Sequence, residues 1–359
     1  MATRKTIKAE EPATKRVRVQ VEEGPEEAPS YFASGAHKDN LRFISTGSAV
    51  MDEALGGGVA LGRCINIVGD KSSGKTLLAM ELCANFFKQY GDVGGWMRYA
   101  EAEAAFDQEY AAALGIPTHE ILFNPDGKPL ETVEDLYKDM TACLDKFKGK
   151  PGLYIIDSLD ALSDEAELGR EFNEGSYGGT KPKAIGKMFR MNIGRLEEQD
   201  VALVVISQLR DKLNVTFGET KTRSGGRALD FYATHIMWLA EIGKMKQTKE
   251  GIERIVGVNV EAYVKKNKVG LAFRRARYPV LFGYGIDDLT SGVEWLIENK
   301  REHFLEGLGL SKSGYKIKLT SLRNKGGEEA RAMRERLRVI IRAEWAKIET
   351  TFLPQSKKY

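Results

Sequence analysis

The sequence predicts an α/β protein. Its mostly parallel sheet is flanked by helices, preceded by a flexible N-terminal segment and followed by a small C-terminal domain. Three observations carry this reading. Short apolar runs recur at domain-like intervals, at 65–68, 96–99, 153–156 and 202–207. Stretches with apolar residues at three-to-four spacing separate them, at 76–90, 130–147 and 183–198. Strand alternating with helix needs crossover connections, which build a parallel sheet covered on both faces. After residue 288 the pattern turns short and helical, and EEARAMRERLRVIIRAEWAKI (328–348) reads as a strongly amphipathic helix.

Taken in order, residues 1–39 are the flexible segment. The first 30 are rich in Glu, Lys, Pro and Ala, a composition that favours disorder. Within them Val17, Val19 and Val21 alternate with Arg18 and Gln20. That period of two fits either a strand added to a neighbouring subunit's sheet or a plain tail. Residues 40–287 form the globular core. ISTGSAVMDEALGGGVALG (44–62) reads as a cap, a helix and a Gly-rich turn. Beyond the fourth run, 235–239 is another strand, followed by alternating Val256, Val258 and Val260. Residues 288–359 are the C-terminal domain.

With 42% hydrophobic residues in 359, the chain can bury a sizeable core. No apolar run approaches a membrane span, and the N-terminus lacks a secretory signal, so a cytoplasmic protein without a membrane partner is expected. Cys64, Cys83 and Cys143 are far apart, as expected of reduced thiols, and the four histidines are scattered. The net charge of +3 is uneven: residues 296–359 hold 15 Lys/Arg against 8 Asp/Glu. A basic end on a mildly acidic body suits a polyanion partner, although a solvated charged helix gives the same count.

The most specific motif is GDKSSGKT, which fits G-x-x-x-x-G-K-[ST] with an apolar strand before it and a helix after it. Gly69 and Gly74 let the backbone curl, so that the N–H groups of Asp70, Lys71, Ser72 and Ser73 face phosphates. The helix adds its positive end. Lys75 supplies a point charge to the β- and γ-phosphates, and Thr76 an oxygen to Mg²⁺. The apolar strand LYIIDS ends in Asp157, a carboxylate able to hold the magnesium water shell, unless it only caps a helix. These two motifs say NTPase and little more, since kinases, helicases and transporters share them.

The stretches between and after them resemble the bacterial RecA family. EAEAAFDQEYAAALGI (101–116) is similar to the stretch that carries that family's catalytic glutamate. The resemblance implies Glu103 as general base, with Glu101 its local competitor, and Asp107 and Tyr110 near the adenine, Tyr110 by stacking unless it is a core aromatic. FISTGSAVMDEALGGG (43–58) resembles the family's lead-in to its first core strand. SQLRDKLNVTFGETKTRSGGRALDFYA (207–233) resembles the region that holds its second DNA-binding loop. There Gln208 takes the place of the glutamine that senses the γ-phosphate. VKKNKVGLAF followed by LFGYGID resembles the segment whose two lysines, here Lys266 and Lys268, reach a neighbour's ATP. The likeness covers roughly 43–287. Phage UvsX recombinases are further relatives to weigh.

The resemblance implies a RecA-type fold and two DNA-binding loops. In the first, at 165–183 and longer than in the family, Tyr177, Lys181 and Lys183 are the expected contacts, beside Gly178 and Gly179. The second offers Lys212, Phe217, Lys221 and Arg223, and ends at Gly225 and Gly226. The family's N-terminal polymerisation helix and acidic tail are not recognisable. The expected activity is a DNA-dependent ATPase coupled to strand exchange, for recombination and repair. Expected partners are single-stranded DNA, homologous duplex, further copies in a helical filament, and single-strand-binding and loading proteins. A hexameric helicase-type motor and a non-catalytic DNA-binding scaffold are the competing readings.

Overall fold

A computed structural model describes residues 41–104, 106–169, 179–211, 221–223, 226–354 and 356, with the backbone alone at 210–211, 221–223 and 226–227. The valine alternation at 17–21 lies outside them. In chain order the elements are β1 (Phe43–Ile44), α1 (Ala49–Leu55), β2 (Val59–Ala60), β3 (Cys64–Gly69) and α2 (Lys75–Tyr90). Then come β4 (Trp96–Glu101), α3 (Gln108–Ala113), β5 (Ile121–Leu122), α4 (Val133–Lys146) and β6 (Gly152–Asp157). The short α5 (Glu165–Leu168) and long α6 (Thr180–Glu198) lead to β7 (Val201–Asp211), β8 (Lys221–Arg223) and α7 (Gly226–Tyr232). The long strands β9 (His235–Lys249) and β10 (Ile252–Asn267) are followed by β11 (Arg275–Leu281) and β12 (Gly285–Ile286). Last are α8 (Asp288–Glu298), α9 (Phe304–Gly307), α10 (Tyr315–Lys325) and α11 (Gly327–Thr351).

The main sheet runs in the order β12-β11-β10-β9-β3-β7-β6-β4-β5. From β9 to β5 the neighbours are parallel, and the β9–β10–β11–β12 side is antiparallel. This is the mostly parallel sheet expected. Successive strand residues face opposite sides, so alternate residues feed two apolar layers. On β3, Ile65 and Ile67 join one layer, Cys64 and Val68 the other. On β7, Ala202, Val204 and Ile206 share the first layer, and Val201, Leu203 and Val205 the second. Leucines of α2, α8 and α11 close the first layer; residues of α4, α6 and α7 close the second. Burying each such side chain contributes about 1.5–3 kcal/mol before conformational entropy is counted.

Local chemistry explains the ends of α1. Ser48 caps it by accepting from the Met51 amide, and Gly56 ends it in the left-handed conformation. That is the cap, helix and glycine turn read from 44–62. One loop boundary needs correction. The first loop was expected to run to Lys183, but α6 begins at Thr180, so Lys181 and Lys183 lie in its first turn. Pro182 is tolerated there because first-turn amides need no helical partner. Gly226 opens α7, where the second candidate loop ends. Lys221 and Arg223 stand on β8, which pairs antiparallel with residues 209–211 of β7.

Candidate nucleotide-binding and DNA-binding site

The parallel strands β3, β4, β6 and β7 all end on one side of the sheet, where ligands of α/β proteins bind. The phosphate loop joins β3 to α2. A Cβ on Gly69 would meet Ser73 Oγ at 2.3 Å and the Leu239 carbonyl at 2.9 Å, so the turn admits only glycine. Gly74 precedes α2 with φ of 85°, which aims the helix's first amides into the loop. Lys75 Nζ lies over the loop and donates to the Asp70 carbonyl at 2.7 Å. Burial pulls the Lys75 pKa below its ordinary value, against the charges of Asp157, Glu103, Asp70 and Asp160. Buried Ser73 Oγ has no hydrogen-bond partner among the described residues, a polar atom suited to a polar ligand. Asp70, Lys71 and Ser72 form the exposed outer curve.

Beneath the loop, Thr76 Oγ1 donates to Asp157 Oδ2 at 2.9 Å and the Tyr99 hydroxyl donates to the same oxygen at 2.6 Å. Burial raises the Asp157 pKa, and these two hydrogen bonds pull it back. A hydroxyl and a carboxylate side by side are hard oxygen donors, the kind magnesium takes when phosphates and water complete its shell. No group of three or more His, Cys, Asp or Glu able to hold a metal occurs among the described residues. One hydroxyl and one carboxylate leave most of such a shell to phosphates and water.

Glu103 stands just past β4. Its Oε1 accepts from the Ser158 hydroxyl and, at 2.8 Å, from Gln208 Nε2. The structure thus brings Glu103, Gln208 and Lys75 together at the strand ends. Its local competitor is engaged elsewhere: Glu101 Oε1 accepts from the Phe106 amide at 2.6 Å and closes a turn. Asp107 caps α3 by accepting from the Tyr110 amide at 2.8 Å, and Tyr110 packs partly buried on the first apolar layer. Sequence reasoning missed Tyr99, Ser158 and Asp160. Tyr99 and Ser158 stand within the quoted strand patterns, and only their partners single them out.

Lys266 and Lys268 lie at the other end of the sheet. Register carries this: Lys266 pairs with Ile236 of β9, and Ile236 with Asn66 of β3, three residues before Gly69. At about 3.3 Å per residue, Lys266 sits roughly 10 Å down the strands from its own phosphate loop, and Lys268 lower still. Lys266 Nζ donates to the carbonyls of Asp230 and, at 3.4 Å, Phe231; Lys268 Nζ donates to Phe231 O at 3.2 Å. These are last-turn carbonyls of α7, a cation-favouring helix end. Phe231 beside them is 70% exposed.

The expected DNA contacts divide. Tyr177, Lys212, Phe217 and Gly225 lie outside the described residues. Lys183 is exposed on the first turn of α6. Lys181 donates to the Asp160 carbonyl at 3.1 Å, and Thr180 Oγ1 to Asp164 Oδ2 at 2.8 Å. The bases of both candidate loops therefore meet the ends of β6 and β7, beside Gln208.

The comparisons agree with this architecture. The family model described as the RecA N-terminal domain matches residues 30–287. The chain is 34% identical over 266 residues to Protein RecA of Laribacter hongkongensis, covering 73% of this chain and 70% of that one. It is 38% identical over 259 residues to Protein RecA of Fusobacterium nucleatum, covering 71% and 64%. It is 34% identical over 324 residues to Protein RecA of Streptomyces venezuelae, covering 87% and 81%.

Proposed function

This chain belongs to the RecA family of DNA recombinases, and from that premise we propose that it binds ATP with Mg²⁺, assembles head to tail as a helical filament on single-stranded DNA, and pairs and exchanges strands with homologous duplex. The single observation behind the proposal is the division of labour along the sheet. The phosphate loop, Asp157, Glu103 and Gln208 share one end, and Lys266 and Lys268 the other. A contact that brings one subunit's lysines to the next subunit's phosphates is heterologous, and such contacts generate open helices when they do not close into rings.

In this reading the loop amides and Lys75 hold the phosphates, and burial makes the Lys75 charge count for more. Thr76 and Asp157 would hold a magnesium ion, which would supply charge neutralisation to the phosphates. Glu103 orients the attacking water and takes its proton. Gln208 leaves Glu103 for the γ-phosphate and carries the nucleotide state into β7, from which the second loop departs. Asp107 and Tyr110 hold the adenine. Lys266 and Lys268 of the adjoining copy complete the site. Tyr177, Lys181, Lys183, Lys212, Phe217, Lys221, Arg223, Gly225 and Gly226 form the DNA path, and the basic 288–359 region receives incoming duplex. A cytoplasmic setting, with single-strand-binding and loading proteins as helpers, goes with this work.

The test is strand exchange between homologous and heterologous DNA, with electron microscopy in an ATP analogue. Homology-dependent exchange and helical filaments are expected. Rings without exchange would indicate a hexameric motor and overturn the proposal.

A further inference from the structure

The end of β7 poses an accounting question. The Leu159 amide donates to the Ile206 carbonyl, so Ile206 points its backbone polar groups toward β6. Two residues on, Gln208 points the same way. The β6–β7 ladder, however, stops at the pair Ile156 and Val205. A half-buried amide with no ladder partner is usually satisfied by something else. Here it is the Asp160 carboxylate, whose Oδ2 accepts from Gln208 N at 2.8 Å. The same residue's carbonyl accepts from Lys181 Nζ at 3.1 Å. Gln208's side chain meanwhile donates to Glu103. Asp160 therefore joins three things: the backbone of the glutamine beside Glu103, the first turn of α6, and the field at Lys75, where its charge is among those that favour the ammonium.

We propose that Asp160 is a positioning residue that couples Gln208 to Lys181, so that nucleotide state reaches the helix after the first candidate loop as well as the strand leading to the second. The inference rests on the recombinase reading of Gln208. An ionised acceptor on a backbone amide is short and stiff, which makes it a tether instead of a loose contact. When Gln208 turns toward a γ-phosphate, its amide pulls on the Asp160 carboxylate, and the Asp160 carbonyl moves with it under Lys181. One residue thus gives both loop bases a common hinge point, and single-strand affinity follows the nucleotide.

The experiment uses the full chain and reads three quantities: affinity for a fluorescent ATP analogue, kcat for ATP hydrolysis, and single-strand DNA affinity with ATP analogue against ADP. Asp160→Ala is expected to hold nucleotide affinity within about twofold while the DNA-affinity ratio between the two nucleotides collapses by about tenfold, the usual scale of allosteric coupling. Because an amide oxygen still accepts from Gln208 N, Asp160→Asn is expected to restore most of the ratio. A full ratio in Asp160→Ala, or parallel loss of nucleotide and DNA binding, overturns the proposal. Should Asp160→Ala fail to fold, Lys181→Met reads the link from its other end. Loss confined to the analogue-bound state supports coupling; equal loss with both nucleotides makes Lys181 a plain phosphate contact and overturns it. If the unaltered protein shows no nucleotide-dependent DNA affinity, the recombinase reading itself fails, and that outcome is separate from either variant.

Discussion

The two ends of the central sheet are built on opposite electrostatic plans. At the end where β3, β6 and β7 stop, Asp157, Glu103, Asp70 and Asp160 surround one buried lysine. At the other end two lysines and an exposed phenylalanine gather around the last carbonyls of α7, with Lys268 about 6.0 Å from the Phe231 ring. The first end crowds carboxylates around Lys75. The second sets the ammonium groups of Lys266 and Lys268 against the last carbonyls of a helix. Stacked head to tail, as proposed, the second would bring its lysines to phosphates held at the first. Apolar Phe231 standing 70% exposed beside them is the kind of side chain an intersubunit contact covers.

The largest effect should come from breaking the first end outright. Lys75→Ala is expected to lower ATP turnover by about 10³-fold or more, because the charge lost is the one nearest the transferring phosphate. Steady-state hydrolysis with single-stranded DNA checks it, and ordinary turnover would remove the phosphate-loop assignment. Glu103→Gln comes next. The amide keeps the hydrogen-bonding reach of the acid and loses its basicity, so turnover should fall about 10²–10⁴-fold while nucleotide binding persists. Filaments should then form and outlast their ATP. If Glu101→Gln behaves this way and Glu103→Gln does not, the catalytic register belongs two residues earlier.

The comparison between the ends is tested most directly by mixing. A Lys75→Ala chain keeps a sound lysine pair, and a chain with Lys266→Ala and Lys268→Ala keeps a sound phosphate loop. Random head-to-tail assembly in equal amounts restores a complete site at about one interface in four. ATPase should therefore return on mixing, in the presence of single-stranded DNA, to roughly a quarter of full activity. An active double-lysine variant on its own would reduce the pair to helix-capping lysines of α7. Inactivity both alone and mixed would place their work in their own subunit, against the register that sets them at the far end.

Much of this was legible in the sequence because motif and periodicity are local. The phosphate loop is eight consecutive residues, and the strands are runs whose alternation survives any tertiary context. The α1 cap and turn were equally readable from Ser48 and the glycines at 56–58. What was not legible depends on register between distant segments. Tyr99 reads as one more aromatic in a strand until β4 and β6 are aligned, pairing Tyr99 with Ile155 and Glu101 with Asp157. Asp160 reads as a turn acid until β7 is seen to outrun β6. The start of α6 was set too late because Pro182 and two lysines look like loop, whereas a first helical turn accepts all three.

Tyr99 gives the smallest expected effect and the sharpest view of how the first end holds its own carboxylate. Its ring is fully buried, packed edge-on against Phe106 at 4.6 Å and tilted against Phe123 at 6.2 Å. Phenylalanine keeps those contacts, so Tyr99→Phe should change thermal stability little. It removes one of two donors on Asp157 Oδ2, leaving Thr76 alone. Burial already raises the Asp157 pKa, and the Tyr99 hydrogen bond is the first influence pulling it down. The variant's carboxyl should therefore hold its proton to higher pH. In the proposed magnesium site proton and Mg²⁺ would compete for that carboxylate, so more Mg²⁺ should be needed for nucleotide binding, by about three- to tenfold for one hydrogen bond. The deficit should be larger at pH 6 than at pH 8, because the proton competes more strongly as pH falls. Titrating Mg²⁺ against a fluorescent ATP analogue at both pH values measures this without any turnover. A shift equal at the two pH values would mean that Tyr99 acts through packing, and no shift at all would make its hydroxyl a bystander to the metal site.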